Sequence, residues 1–310
     1  MFKTRRQILC CALLPLLGGV SFCSAQQPAD KTAAPLLRPM QPEERSAQIP
    51  DESLIRAQLE LHPNSAELLY QLALAQRIKG EYRESLQTYT HAASLQKPNA
   101  MQLRSVALDY VQLNSYDEAI RWLRVAAGME PRNVEVLYSL GRCLYTQNIF
   151  AESESAFRRV LEVNPTHLKA QENLGLVYDA ENQPGKAEAA LRTAATWATE
   201  RNSQDYWPFL DLGSFLLDQS RAPEALPFLT RAAALDSKCA ACHEKLGRAL
   251  SAVKDAAGAV RELEVAVQLD PENAKAHFEL GRAYREAGNA EKARAEFDLS
   301  KGLYGSHNQN

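Results

Sequence analysis

An all-α solenoid of antiparallel helix pairs is the fold class that this sequence predicts, from three observations: a fixed period, two small positions within it, and recurrent prolines at its end. The period is 34 residues. Units begin at Ala66, Ala100, Val134 and Leu168, and after one step of 38 to Tyr206 the spacing of 34 resumes at Ala240 and Ala274. Such a period marks small supersecondary units, none of which buries its apolar face alone, so each must stack on the next. The eighth place of the unit reads Ala73, Ala107, Gly141, Gly175, Gly213, Gly247 and Gly281, and the twentieth reads Ser85, Ala119, Ser153, Ala187, Ala225, Ala259 and Ala293. Two helices can cross closely there. Large residues fill the space beside them, Leu72 to Leu280 at the seventh place and Tyr89, Leu123, Phe157, Leu191, Leu229, Leu263 and Phe297 at the twenty-fourth. The thirty-second place is Pro131, Pro165 and Pro271, with Pro98 one residue late; proline ends the second helix and turns the chain into the next unit.

From the N-terminus, Lys3, Arg5 and Arg6 precede an apolar run from Ile8 to Phe22, and Cys23-Ser24-Ala25 offers small residues before a cut after Ala25. Residues 1–25 are therefore expected to be a signal peptide and the protein to be exported, periplasmic or secreted. The run is short and broken by Pro15, Gly18 and Gly19, so it is not read as a membrane span, and no integral membrane segment is expected after its removal. Thr4-Arg5-Arg6-Gln7-Ile8-Leu9 resembles a twin-arginine signal, and export by that route or by the general one stays open. Residues 26–50 carry five prolines (28, 35, 39, 42 and 50) and read as a disordered linker. Residues 51–62, ending at Pro63, read as a capping helix, and the solenoid then runs to residue 303.

Within the solenoid, Pro184 and Pro223 sit at the heads of second helices, where a missing N–H had no partner anyway. Pro227 lies about one turn further in and predicts a kink or a late helix start. The extra residues before the fifth unit fall in the stretch Trp197 to Trp207, read as a longer helix with its aromatics packed inward, the alternative being a separate aromatic binding spot. The last helix carries Glu291, Lys292, Arg294, Glu296, Asp298 and Lys301, enough charge to face water, and residues 304–310 read as a frayed polar tail.

The chain has 35 basic and 38 acidic side chains; loss of the signal removes three basic ones, leaving 32 against 38 and a net charge of −6. That argues against nucleic acid as a partner.

The combined pattern of period, small places and turn prolines resembles the tetratricopeptide repeat family across about residues 66 to 303. The resemblance implies a right-handed superhelix of about seven helix-turn-helix units and a non-enzymatic scaffold that binds a protein or peptide. It also implies an inner groove lined by first helices, at places 2, 5, 9, 12 and 13. Places 5, 9 and 12 share one helical face. They hold Tyr70, Leu74 and Arg77, then Arg104, Leu108 and Val111, then Tyr138, Arg142 and Tyr145. The fourth unit turns acidic with Glu172 and Asp179, and the last two return to Arg248, Phe278, Arg282 and Arg285. Arginine and tyrosine are the usual anchors of interfaces, so Tyr70, Arg77, Arg104, Tyr138, Arg142, Tyr145, Arg248, Phe278 and Arg282 are the expected partner-binding residues, meeting an apolar segment with some acidic character. No unit has Lys at place 5 or Asn at place 9, the clamp by which some members hold a C-terminal carboxylate.

Cys239-Ala240-Ala241-Cys242-His243 matches the attachment pattern of c-type haem, which makes an exported redox or haem protein the alternative function. The register argues otherwise. His243 stands at place 4, as does His277 in a unit without cysteine, and Cys242 stands where Ala170 and Ala276 stand elsewhere. A local disulfide between Cys239 and Cys242, no cofactor and no metal are the expectation, with Cys143 a small buried residue. The sequence has no His-Glu-x-x-His and no Gly-x-Ser-x-Gly, and no enzymatic activity is expected.

Overall fold

A computed structural model describes residues 51–307; the expected signal peptide, linker and final three residues lie outside the described residues. Every element described is a helix. The chain divides into two compact units, one ending at Asn164 and the other starting at Pro165.

The first unit holds α1 (Glu52–Leu61) and the pairs α2 (Ala66–Ile78) with α3 (Tyr82–Leu95), α4 (Ala100–Gln112) with α5 (Tyr116–Met129), and α6 (Val134–Thr146) with α7 (Phe150–Val163). The second holds four pairs: α8 (Leu168–Ala180) with α9 (Pro184–Glu200), α10 (Trp207–Asp218) with α11 (Ala222–Leu235), α12 (Ala240–Ala252) with α13 (Ala256–Leu269), and α14 (Ala274–Glu286) with α15 (Ala290–His307). The result is an all-α tetratricopeptide-like arrangement of helix hairpins.

Each hairpin begins and turns by the same local chemistry. Ser65, Asn99, Asn133, His167, Cys239 and Asn273 cap the first helices, each side chain accepting from the backbone N–H three residues on. Each first helix is followed by one left-handed residue at the fifteenth place: Gly80, Asn114, Asn148, Asn182, Ser220, Lys254 and Gly288, with φ between 56° and 85°. The next residue donates back to a carbonyl five residues earlier, as in Glu81 to Gln76 at 2.9 Å and Asn289 to Tyr284 at 2.8 Å. This closes the helix end and reverses the chain for the second helix.

The two helices of a pair meet where the small eighth place faces the large twenty-fourth. A Cβ added at Gly141, Gly175, Gly213, Gly247 or Gly281 would come within 2.5 to 2.8 Å of the facing Phe157, Leu191, Leu229, Leu263 or Phe297. Phe157, Leu191, Leu229 and Leu263 are fully buried. Serine at the twentieth place adds a bond across the same crossing, Ser85 Oγ to the Ala73 carbonyl at 2.9 Å and Ser153 Oγ to the Gly141 carbonyl at 2.8 Å.

Four local expectations need correction. Helix α11 starts at Ala222, before Pro227, so the proline lies inside a helix with no late start. At α15 the helix runs to His307, into the stretch read as a frayed tail, since nothing at Gly302 or Gly305 forces a turn. Glu296 is not simply solvated: its carboxylate holds His277 Nδ1 at 2.6 Å. The insertion lengthens α9 to 17 residues, but Trp197, Tyr206 and Trp207 are half-buried and do not join the core. Trp197 lies under Arg201 at 5.8 Å, and Tyr206 stacks on Trp207 at 5.1 Å, so each is covered by a local neighbour.

Overpacking the crossing should destabilise the whole chain. Replacing Gly247 with Leu is expected to cost about 1 to 3 kcal/mol in urea melts, whereas Ala257→Leu on the exposed face of α13 stays within about 0.5 kcal/mol of wild type.

Candidate functional site

In the first unit the fifth, ninth and twelfth places of α2, α4 and α6 form the candidate surface, and the structure sorts its residues into three kinds. Tyr70 and Tyr138 are buried. The Tyr70 hydroxyl donates to the Gln96 carbonyl at 2.6 Å, and Tyr138 packs its ring 5.9 Å from that of Phe157. They are packing residues and not surface anchors, because both rings fill the space between adjoining helices.

Arg77 and Arg104 form the second kind. Each lies beside a carboxylate of this chain. Arg77, its side chain 10% exposed, has Nε 3.5 Å from Asp109 Oδ1. Arg104 donates through Nε to Ser139 Oγ at 2.9 Å and to the Glu135 carbonyl at 3.2 Å, with its Nη2 3.3 Å from the Glu135 carboxylate. The expectation that both arginines serve chiefly a partner's acids is corrected to this extent: internal acids already face them. Asp109 itself is fully buried and accepts from Ser85 Oγ at 2.6 Å. Burial pushes its carboxyl up to about 7, against the lowering effects of the Ser85 bond and the Arg77 charge.

Arg142 and Tyr145 are the third kind. Both are half-buried on α6. Arg142 places its guanidinium 5.7 Å from the centre of the Tyr138 ring, and Tyr145 tilts against Phe150 at 5.7 Å. A cation resting on one aromatic and flanked by another along a single helix is an arrangement suited to contact with a partner.

The second unit carries a lattice of alternating charge on the corresponding faces. Arg248 lies 3.6 Å from Asp218, 3.7 Å from Glu279 and 3.8 Å from Glu244; Lys275 lies 3.2 Å from Glu244, and Arg282 3.0 Å from Glu279. Arg248 therefore joins α12 to α10 and α14 within its own unit, whereas Arg282 pairs with Glu279 on its own helix α14. Phe278 is 45% exposed, tilted against Phe297 at 5.6 Å.

Cys239 and Cys242 form a disulfide at the N-terminus of α12, and Cys239 Sγ also accepts from the Cys242 N–H at 3.1 Å. His243 holds Glu262 through Nδ1 at 2.7 Å and the Ser237 carbonyl through Nε2 at 3.2 Å. His277, one repeat on, does the same with Glu296 at 2.6 Å and the Pro271 carbonyl at 3.0 Å. Both partners fall at the same sequence offsets, so this histidine is a repeated strut between the two helices of a pair. With both sulfurs in the bridge and both ring nitrogens engaged, the haem alternative finds no support in the geometry. Cys143 is buried, and burial raises its thiol to about 12. Among the described residues no cluster of three or more His, Cys, Asp or Glu is placed to hold a metal ion, and no helix is long and apolar enough to cross a membrane.

Models of the tetratricopeptide repeat match residues 66–99, 107–161, 147–206 and 250–301. The chain belongs to the tetratricopeptide repeat family. Among curated proteins it is similar to the BBSome complex member BBS4 of Bos taurus, 24% identical over 211 residues, covering 68% of this chain and 40% of that protein. It is also similar to the tetratricopeptide repeat-containing protein trd-1 of Caenorhabditis elegans, 27% identical over 150 residues, covering 48% and 18%. The chain thus spans less than half the length of these relatives. Among solved structures it resembles the APC/C hetero-tetramer Cut9-Hcn1, with a TM-score of 0.63 and 16% identity over 81% of this chain and 49% of that one. A tetratricopeptide repeat protein from Parabacteroides merdae gives 0.60 and 18% over 75% and 90%. These structures share the fold.

The buried carboxyl makes a pH test available. A group whose folded pKa is raised holds more protons in the folded than in the unfolded chain between the two values, so stability falls as pH climbs through that window. For Asp109 the window runs from 3.8 to about 7. Asp109→Asn keeps an acceptor for Ser85 and does not titrate. Urea melts should show the variant gaining on wild type as pH rises across the window, with no further change above it.

Proposed function

We propose that the chain is a non-enzymatic scaffold that captures an extended segment of a partner protein on the first-helix face of its first unit, with contact centred on Arg142 and Tyr145. The observation that carries this reading is the Arg142 guanidinium lying over the Tyr138 ring one turn from the half-buried Tyr145. An apolar segment with some acidic character suits it: the acid meets the guanidinium and the apolar groups meet the rings. Arg104 extends the strip on α4, its charge shared with Glu135. The negative charge of the whole chain, 35 basic against 38 acidic side chains, favours a protein partner over nucleic acid.

The working compartment in this proposal is outside the cytoplasm. Residues 1–25 act as an export signal and 26–50 as a tether, which the basic start, the apolar run and the five prolines support. An exported protein meets an oxidising environment, in keeping with the Cys239–Cys242 bridge.

Tyr138→Ala is a poor probe of binding, because it removes a ring buried against Phe157. The informative variant is Arg142→Ala with Tyr145→Ala. With a partner captured from the exporting organism's envelope fraction and identified by mass spectrometry, the double variant should melt as a cooperative fold and lose about 2 kcal/mol or more of binding. Raising the salt should weaken wild type more than an Arg142→Ala single variant. If binding survives the double change and is lost on altering Trp197, Tyr206 and Trp207, the site lies at the inserted segment.

A further inference from the structure

Three of the turns between repeats are bound by a side chain of the repeat that follows. At the turn before α6, Arg159 of α7 donates to the Pro131 carbonyl at 2.9 Å. At the turns before α12 and α14, His243 and His277 hold the Ser237 and Pro271 carbonyls through Nε2 at 3.2 and 3.0 Å. Each of these carbonyls belongs to the thirty-second place of a repeat, and the side chain that reaches it stands at the twenty-sixth or the fourth place of the next. At the turn between α3 and α4 the thirty-second place is Lys97, and the twenty-sixth and fourth places of the next repeat are Val125 and Leu103. Neither of these apolar side chains can donate a hydrogen bond to the turn.

What lies there is a cavity of about 130 Å³, and Lys97, Val125 and Leu103 all line it. The rest of its wall includes Tyr70, Tyr89, Trp122 and Met129, and the wall is almost wholly apolar. Tyr70, Tyr89 and Trp122 are buried, and the Tyr70 hydroxyl is committed to the Gln96 carbonyl at 2.6 Å. Lys97 and Met129 are exposed, so part of the wall lies at the protein surface. Volume and lining together define a guest. An apolar cavity of roughly 150 Å³ accepts benzene, which makes this one the size of a single ring. Three aromatic side chains and a thioether favour a flat aromatic ring, through tilted ring contacts and sulfur-to-ring contacts, over a saturated one. A charged group would lose its hydration against such a wall without gaining a partner, and the part of exposed Lys97 that an apolar wall can use is its aliphatic stem.

We propose that this cavity is a binding site for a small uncharged aromatic molecule of one ring, which takes the position beside the turn that a side chain of the following repeat takes in the three turns above. The size of the cavity sets the single ring, its aromatic wall sets the flat guest, and its lack of polar surface excludes a charge. The site is separate from the Arg142–Tyr145 strip, which is carried by α6.

The test is a titration of the full chain, labelled with nitrogen-15 at the indoles, with benzene, cyclohexane and benzoate as probes. Trp122, Trp197 and Trp207 supply the three indole signals, and Trp122→Phe assigns the first. Benzene should move the Trp122 signal saturably and leave the other two in place, cyclohexane should bind more weakly, and benzoate should move none of them. Val125 is half-buried, and Val125→Arg gives its place the residue that the next repeat carries there, Arg159. Val125→Met fills the same space without a charge. Both variants should melt cooperatively and weaken benzene by about tenfold or more, as excess bulk in an apolar pocket does. A Trp122 signal unmoved by benzene up to its solubility overturns the proposal. So does movement of all three indoles together, benzoate or cyclohexane binding as tightly as benzene, or benzene binding undiminished in either folded Val125 variant.

Discussion

The close approach of two helices at the eighth place of each repeat is the constraint on which the rest of the structure depends. With glycine there, Leu263 lies where a Cβ on Gly247 would be at 2.5 Å, and Leu191, Leu229, Phe157 and Phe297 stand in the same relation to their own glycines. Side chains at 0% exposure around this point show that the pair is packed to contact without room for a methyl group. Once the crossing is fixed, the first helix has one face against its partner and another turned away from it, and that second face carries the candidate surface.

The crossing also governs where charge can be placed. His243 with Glu262, and His277 with Glu296, tie the two helices of a pair together. Arg248 with Glu279, and Lys275 with Glu244, tie first helices to one another. Arg77, Asp109 and Ser85 do so in the first unit with a carboxylate taken fully out of water, so part of the candidate binding face is also part of the fold. That dual use explains why the arginines of the strip are unequal: Arg77 and Arg104 are held by internal acids, while Arg142 rests on a ring.

Much of this architecture is legible in the sequence because it is periodic. The period of 34, the small eighth place and the turn prolines each recur often enough that one irregular unit does not hide them. The register alone likewise marks His243 as the counterpart of His277. What is not legible is what happens once. Tyr70 sits at a groove place but is buried, with its hydroxyl bonded to the Gln96 carbonyl. Asp109 breaks the periodic pattern and still leaves a signal: its tenth place is Ala75, Cys143, Val177, Phe215, Ala249 and Ala283 in the other units, so an acid there has to be buried. The left-handed fifteenth place is readable at Gly80, Gly288 and the three asparagines, but Lys254 gives no hint of a positive φ, and only the repeat alignment reveals it.

The most direct measurement of the central claim is a double-mutant cycle across one crossing, with Gly247→Ala and Leu263→Ala made singly and together and followed by urea melts. If the small and large places are complementary, the added methyl occupies the space that the truncated leucine vacates. The double variant should then be more stable than the sum of the two single losses predicts, by about 0.5 to 3 kcal/mol. Losses that simply add would show that the two residues do not meet, and would contradict the claim that this crossing sets the geometry of the helix pair.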